Sequence, residues 1–266
     1  MIIESLTNTI FENIPNSNGK FTKHFHDTYT IGLTHDGIFK SINENKSTLS
    51  YKYSTRVINP SAIHHGDSTS WKYTNFYPKI ELLVEIYEQI FFEKKIPIFH
   101  THIIEDPFLY KILKRFFISM FYKHDKMIIE TNMIEALSYL LKNYTNTTKE
   151  YPTLLNENCV IKNSIELIND NIASNISLEE LAINSHLSKY HFLRVFKKHT
   201  GLTPHQYILS TRTNKAKNLI IKGEKPLSAS LNAGFSDQSH FIRNFKNIYG
   251  YSPKILQEKS NFILYN

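Results

Sequence analysis

Apolar residues follow a strand-like spacing in the first part of this chain of 266 residues. Between residues 20 and 80, short apolar runs occur at Thr28–Leu33, Ile38–Ile42 and Arg56–Ile58, and turn-forming residues separate them. Many short strands at close intervals are typical of a β-sandwich or a small barrel. The pattern therefore predicts a β-rich N-terminal domain.

The spacing of apolar residues becomes helical from Lys79 onward. One apolar stripe runs from Ile80 to Phe91, and two amphipathic helices are predicted at 108–123 and 127–144. This helix pair carries more apolar residues than one small buried face requires. We expect the pair either to complete a core or to form a dimer surface.

The rest of the chain is predicted to be helical beyond a polar stretch at 145–152, which has the composition of a linker. Ser177, with Glu180 three residues later, has the spacing of a capping box. The predicted helices are Ile161–Asn171, Leu178–Asn184, one capped by Ser188 that stops at Gly201, Pro204–Ile221, Leu227–Ala233, and one capped by Ser236 or Asp237 that ends before Gly250.

One motif occurs twice in the helical part, 49 residues apart, and reads His-Phe-x-Arg-x-Phe-Lys-x3-Gly-x2-Pro. The copies begin at His191 and His240, each on the second helix of a helix-turn-helix pair. In each copy the phenylalanines share one helix face, whereas the arginine and lysine share the other. The long helix at 204–221 would hold the two copies about 34 Å apart, roughly one turn of DNA.

Positive charge is concentrated in the same part of the chain. Residues 1–158 hold 17 basic and 17 acidic residues, whereas residues 159–266 hold 14 and 7, which accounts for the net charge of +7. This imbalance favours a polyanionic partner for the helical part alone. Because the chain has one cysteine, no signal-peptide pattern and no apolar run of membrane-spanning length, we expect a cytoplasmic protein without membrane contact.

The outward faces of the two repeat helices carry the candidate DNA contacts. A single exposed arginine or lysine is usually only solvated, but here both recur at matching positions. Arginine pairs with guanine and glutamine with adenine through two hydrogen bonds. Lys197, Lys198 and Lys246 are better suited to phosphates.

Residues 160–258 resemble the DNA-binding domain of the AraC family of bacterial transcription regulators. The resemblance rests on Ser177-Leu-Glu-Glu-Leu-Ala182, Leu187-Ser-Lys-Tyr-His-Phe-Leu-Arg-Val-Phe-Lys197, Gly201-Leu-Thr-Pro-His-Gln-Tyr207, Arg212 with Ala216, Ala233-Gly-Phe-Ser-Asp-Gln-Ser-His-Phe-Ile-Arg-Asn-Phe-Lys246 and Gly250-Tyr-Ser-Pro253. It implies that both repeat helices enter the major groove, where the base-reading residues would be Lys189, Tyr190, Arg194, Gln238, Ser239 and Arg243. Leu193 stands where the family often has arginine or glutamine.

Histidines mark the N-terminal part. Three histidines brought together from strands can bind a metal, line a pocket for a small molecule, or simply pack in a core. Residues 24–66 resemble the AraC-type version of the cupin barrel, but Thr30 and Ile31 stand where metal-dependent cupins usually place a glutamate. We therefore predict no catalytic residue, metal or cofactor, and an effector pocket lined by His24, His26, Tyr29, His64 and Trp71.

These inferences combine into an α+β multidomain protein. The expected domains are a cupin-like β-barrel that binds an effector at 1–100, a helical dimerisation segment at 101–145, a linker at 146–158, and an all-α double helix-turn-helix domain at 159–260. The predicted function is a sequence-specific transcription regulator, not an enzyme, that binds double-stranded DNA as a homodimer under the control of a small molecule. RNA polymerase is a further candidate partner.

Two alternatives remain open from the sequence. One is a metal-dependent cupin enzyme that carries a nucleic-acid-binding domain. The other is a constitutive DNA-binding protein whose first domain only dimerises.

Overall fold

The computed structural model places an antiparallel sheet in the first part of the chain and helices in the rest, which confirms the predicted α+β class. It describes residues 9–43, 46–145, 159–174, 176–258 and 262–264. The predicted linker at 146–158 lies outside these residues. In the part that the structure describes, no helix is both long enough and apolar enough to cross a membrane.

The described residues form seven strands: β1 (Ile10–His24), β2 (Thr30–Asn43), β3 (Lys46–Ser50), β4 (Thr55–Ile58), β5 (His64–Tyr77), β6 (Ile103–Ile104) and β7 (Phe262–Leu264). Six of them lie side by side in one sheet in the order β6-β4-β2-β5-β1-β7, and β3 pairs with the far end of β2. The central strands β1, β2 and β5 are long, and irregularities interrupt their register, for example between Ile14 and Ser17. Such bulges bend a sheet, so the two halves of these strands pack against different parts of the molecule.

One half of the sheet packs against three helices: α1 (Ile80–Phe91), α2 (Pro107–Phe121) and α3 (Lys126–Tyr144). Asp106 caps α2 by accepting hydrogen bonds from the backbone amides of Phe108 and Leu109. The predicted helices at 108–123 and 127–144 are thus present, and their inward faces complete a core with Phe11 and Phe76 of the sheet.

The C-terminal part contains seven helices among the described residues: α4 (Cys159–Asp170), α5 (Leu178–Asn184), α6 (Lys189–Thr200), α7 (Pro204–Ile221), α8 (Pro226–Asn232), α9 (Gln238–Tyr249) and α10 (Pro253–Glu258). Helices α5 and α6 form what we call the first unit, and α8 and α9 form the second unit. The capping box predicted at Ser177 and Glu180 is present at the start of α5.

Two cores join the sheet to the helix-turn-helix domain. The second half of the sheet contributes Trp71 and Tyr73 to a core with Phe241, Phe245 and other apolar residues of the second unit. Phe25, just after β1, enters the core of the first unit. Buried side chains of both domains therefore pack in common hydrophobic cores.

The start of strand β1, the short strands β6 and β7, and helix α10 were not predicted from the sequence. Strand β1 begins at Ile10, ten residues before the predicted β region, and the short strand β7 pairs with its start. Helix α10 follows the second repeat. Both β7 and α10 are short, so they lack the several turns or alternations that make a periodic pattern visible.

Candidate DNA-binding and effector sites

Helix α6 presents the first repeat copy. The Ser188 side chain caps the helix by accepting a hydrogen bond from the His191 amide at 3.3 Å. Phe192 and Phe196 are fully buried, and Gly201 ends the helix in the left-handed conformation with φ of +70°. Burial of the two phenylalanines fixes the rotation of the helix, so its opposite face is directed to solvent.

Helix α9 presents the second copy in the same way. Asp237 caps it with hydrogen bonds from the amides of Ser239 at 3.1 Å and His240 at 2.8 Å. These bonds lower the pKa of the Asp237 carboxyl group. Phe241 and Phe245 are buried, and Gly250 ends the helix with φ of +80°. The two copies of the repeat therefore form the same local structure.

The structure exposes the residues that the sequence assigned to DNA contacts. Those with described side chains are all exposed: Lys189, Arg194, Lys197, Lys198, Gln238, Ser239, Arg243 and Lys246. Tyr190 lies in α6, but its side chain is outside the described part of the structure. Lys189 forms an ion pair with Glu179 of the same unit at 3.1 Å, with both side chains more than half exposed. This pair is weak enough for DNA to displace.

Three of the predicted effector residues form one buried cluster. His24 ends β1 and lies opposite His64 at the start of β5, and His26 follows two residues after His24. The ring centroids of His24 and His64 are 4.2 Å apart, and that of His26 lies 4.8 and 5.0 Å from them. Burial lowers the pKa of all three rings, to about 4 for His24, so they are neutral at pH 7.

Trp71 and Tyr29 differ in their relation to this cluster. Trp71 lines the same small cavity, of about 30 Å³, but its ring stacks on Tyr73 and Phe39 at centroid distances of 3.8 and 4.3 Å. Tyr29 does not line this cavity. It lies in the core beneath α1–α3, where its hydroxyl donates to the Pro97 carbonyl at 2.6 Å. Tyr29 directly precedes β2, and Thr30, the first residue of that strand, lines the cavity. Successive residues of an extended chain point to opposite faces, which explains why Tyr29 lies on the other side of the sheet.

A buried ion pair joins the sheet to α7. Lys217 of α7 and Glu12 of β1 are 3.1 Å apart, with side chains only 7% and 1% exposed. The hydroxyls of Tyr77 and Tyr251 also donate to the Glu12 carboxylate, the first at 2.7 Å. Burial and the Glu12 charge raise the pKa of both tyrosines, so both remain protonated donors.

Our sequence predictions missed this ion pair, although a local signal existed. Glu12 alternates with Ile10 and Ile14, which places a carboxylate on the apolar face of a strand. Lys217 is likewise on the face of α7 that carries Ala216 and Ile220. A charge on an apolar face predicts a buried partner. Only the fold shows that Glu12 and Lys217 pair with each other.

Arg56 adds a second buried cation in the sheet. Its guanidinium group lies over the rings of Trp71 and Phe39, 4.7 and 4.9 Å from their centroids. It donates to the Asn75 side chain at 3.0 Å, and its Nε atom has no hydrogen-bond partner among the described residues. Burial lowers the Arg56 pKa. The interior near the histidines is therefore positively charged.

A larger cleft of about 430 Å³ lies between the sheet and α7. His26, Tyr77 and Tyr249 line both this cleft and the small cavity, so the two spaces share a wall. Its other polar and charged lining residues are Asp27, Thr28, Lys79, Glu81, Asn214, Lys217, Asn218 and Lys222. Because both domains contribute to it, a molecule bound there would contact both.

Comparison with known families agrees with this two-part architecture. Residues 15–137 match the model of the AraC-like ligand binding domain, and residues 181–259 match a helix-turn-helix domain model. The chain belongs to the AraC family. It is a DNA-binding transcription regulator with a ligand-binding domain, as predicted from the sequence.

Individual relatives support the same assignment. The uncharacterized HTH-type transcriptional regulator YbfI of Bacillus subtilis is 28% identical over 228 residues, which cover 83% of this chain and 81% of YbfI. The multiple antibiotic resistance protein MarA of Escherichia coli is 37% identical over 94 residues, 35% of this chain and 74% of MarA. ToxT of Vibrio cholerae shares the fold, with a TM-score of 0.60, 13% identity, and coverage of 93% of this chain and 96% of ToxT.

Proposed function

We propose that this AraC family regulator reads its DNA site with Arg194 and Arg243 and responds to a small molecule bound in the cleft between the sheet and α7. The observation that carries the first part is the matched geometry of α6 and α9. Both helices have a capped N-terminus, a buried phenylalanine face and an exposed arginine. An exposed arginine in the N-terminal half of such a helix is suited to the major groove.

DNA binding by single variants tests this proposal. The target duplex is first selected from a random library with the wild-type protein. We expect Arg194→Ala and Arg243→Ala each to weaken binding to that duplex by about 1–3 kcal/mol, with little change on a scrambled duplex. Lys94→Ala is the control, because Lys94 is exposed in the segment between α1 and β6, outside both units and outside α2 and α3.

Each outcome has a distinct interpretation. An equal loss on both duplexes would assign the arginine to a phosphate contact instead of a base. Unchanged binding by both arginine variants would overturn the proposal that these two helices read the DNA.

The cleft between the domains supports the second part of the proposal. It is about 430 Å³, large enough for a metabolite, and its walls come from the sheet, α1, α7 and α9. One structure of ToxT contains a bound unsaturated fatty acid. That protein has the same fold as this chain, with 14% sequence identity. The cleft described here contains lysines, acids and amides, so we assign it to a polar effector and not to a long aliphatic chain.

A thermal-shift screen of polar metabolites tests the effector site. A true effector should raise the melting temperature of the wild-type protein and fail to raise that of Asn218→Leu, which places an apolar side chain in the cleft wall. His205→Leu, on an exposed position of the same helix, should respond like the wild type. A hit that stabilises Asn218→Leu equally would place the effector elsewhere, and the absence of any hit would favour a constitutive regulator.

We further propose that α2 and α3 form a homodimer surface. Four apolar side chains near the turn between these helices are 40% to 75% exposed: Ile118, Tyr122, Met127 and Ile128. Light scattering should show a dimer for the wild type and a monomer for Met127→Glu. A wild-type monomer would overturn this part. RNA polymerase remains a proposed partner, and the cytoplasm is the proposed location because the partner is DNA.

A further inference from the structure

The geometry of the three buried histidines has a consequence beyond effector recognition. His24 and His64 are paired across β1 and β5, and His26 completes a triangle. One ring nitrogen from each residue lies within 4.8 Å of the others. All three side chains are more than 90% buried. Buried imidazoles normally have hydrogen-bond partners for both nitrogens, so a ring nitrogen without one needs an explanation.

Backbone carbonyls determine which nitrogen is left without a partner. The Nδ1 atom of His24 lies 2.6 Å from the Thr22 carbonyl, and that of His64 lies 2.9 Å from the Ala62 carbonyl. A carbonyl only accepts, so each Nδ1 must carry the proton. Each neutral ring therefore has a lone pair on Nε2. Donation of one ring N–H to a carbonyl is also the arrangement that orients metal-ligating histidines.

No hydrogen bond from the described residues reaches these lone pairs, and the three rings line the small cavity. No hydrogen bond joins the three rings to each other in the described residues, although their centroids are at most 5.0 Å apart. Purely structural histidines would be expected to bond to one another or to a hydroxyl. The cavity they share, of about 30 Å³, has room for an ion or one water molecule and for little more.

The surrounding charges restrict the type of cation. No carboxylate contacts the rings among the described residues, so a hard cation such as Mg²⁺ or Ca²⁺ has no suitable ligands. The positive charges of Arg56 and Lys217 act on His24 and oppose the binding of a cation. The Glu12 carboxylate, 3.1 Å from the Lys217 ammonium group, offsets the second of these charges. Only a metal with a strong intrinsic preference for imidazole would bind against this field, as Zn²⁺, Co²⁺ and Ni²⁺ do.

We propose that His24, His26 and His64 form a binding site for a divalent transition metal of the zinc type. Tetrahedral zinc with nitrogen ligands at about 2.0–2.1 Å would hold those nitrogens roughly 3.4 Å apart, so nitrogens now up to 4.8 Å apart must approach each other by up to about 1.4 Å. Thr30 and Ile31 provide no acidic fourth ligand, which leaves one coordination position for water or another small ligand.

The site would also be connected to the DNA-binding domain. The His26 ring stacks on Tyr249, the last residue of α9, with centroids 5.5 Å apart and an interplanar angle of 19°. A bound metal would fix the orientation of His26 and hence the surface on which Tyr249 rests. Metal occupancy and the position of the second unit are therefore expected to be linked.

Metal titration of the purified, demetallated full-length protein tests the site. Co²⁺ is followed by its visible absorption, and Zn²⁺ by competition with a chromophoric chelator. We expect one equivalent of Co²⁺ with the spectrum of a four-coordinate nitrogen-rich site, displaced by Zn²⁺. Mg²⁺ should not compete. His64→Gln and His26→Gln should each weaken Zn²⁺ binding by more than about tenfold.

His100→Gln is the matched control, because His100 is an exposed histidine that does not line the small cavity. It should bind like the wild type. The absence of stoichiometric binding would overturn the proposal, as would Zn²⁺ affinity that neither His64→Gln nor His26→Gln changes. Circular dichroism melting of each variant shows whether it is folded, and the two glutamine variants test the site independently.

Discussion

The two helix-turn-helix units are nearly identical in construction but differ in their attachment to the sheet. Both recognition helices have a polar N-cap, two buried phenylalanines and a terminal glycine. The first unit receives from the sheet domain mainly Phe25, with partly buried Ile63 beside it. The second unit shares a continuous core with the sheet, in which Trp71 and Tyr73 pack with Phe245.

This difference indicates how the domains communicate. A rearrangement of the sheet interior would change the side chains that support the second unit directly. It would reach the first unit only through a few contacts near Phe25. A ligand changes DNA binding only if it binds the alternative arrangements with different affinity. We therefore expect effector binding to act more strongly on the second unit than on the first.

The largest loss of stability is expected when the buried ion pair beside the second unit is broken. Lys217→Met leaves the Glu12 carboxylate buried without its cation, and loss of one partner of a buried pair costs about 3–5 kcal/mol. Urea unfolding followed by Trp71, the only tryptophan, measures the change in the free energy of unfolding.

A contact two turns earlier on the same face of α7, at Phe25, provides the comparison. Ser210 approaches the Phe25 backbone with weak hydrogen bonds of 3.4 and 3.5 Å, so Ser210→Ala should cost only about 0.5–1.5 kcal/mol. The double variant Glu12→Gln with Lys217→Met should recover part of the loss. If Ser210→Ala proved the more destabilising, the sheet would not be attached chiefly through the second unit.

Acid should weaken the sheet domain by an effect of intermediate size. Burial lowers the pKa of His35 and of His102 to about 4, whereas the unfolded chain titrates near 6.5. The unfolded state therefore binds more protons between pH 6.5 and 4, and the free energy of unfolding must fall as pH falls. Each residue contributes up to about 1.4 kcal/mol per pH unit in that window.

Urea unfolding of metal-free protein at several pH values between 7.5 and 4.5 measures this slope. His35 bonds to the Tyr110 and Thr74 hydroxyls, at 2.8 and 2.7 Å, and His35→Gln preserves a polar side chain there while removing the titration. The variant should show a shallower dependence on pH than the wild type. An unchanged slope would show that His35 does not contribute to the acid sensitivity.

The DNA-binding part of the fold was predictable because its signals are local. Ser177 with Glu180, the glycines that end α6 and α9, and the spacing of the phenylalanines are all fixed by residues close together in the chain. Backbone capping and helical periodicity act over three or four residues, so a sequence records them directly.

The site between the domains was less predictable because its partners are distant in sequence. Glu12 and Lys217 are 205 residues apart, and the Tyr251 hydroxyl reaches Glu12 from 239 residues away. The sequence pointed to His24, His26 and His64 as a group, and the register of β1 with β5 unites them. The position of Tyr29 under the other face of the sheet depended on a register that no local pattern specified.

The smallest predicted effect is a difference in the free energy of unfolding between two variants, one in each unit, at equivalent positions. Gly201→Ala and Gly250→Ala both place a Cβ on a residue with positive φ, which costs roughly 1–2 kcal/mol in either unit. At Gly201 the new Cβ would lie 3.0 Å from the tip of Ile63, a flexible and partly exposed side chain. At Gly250 it would lie 2.7 Å from the Phe21 ring.

Phe21 cannot move away as easily as Ile63, because its ring packs edge-on against Phe39 and Trp71 with centroids 5.6 and 6.2 Å away. We therefore expect Gly250→Ala to lower the free energy of unfolding more than Gly201→Ala does, by about 1 kcal/mol for the overpacking alone. Urea unfolding of the two variants in parallel decides the matter. Equal losses would mean that the end of α9 has as much freedom at the sheet as the end of α6, and the proposed asymmetry between the units would then lack its structural cause.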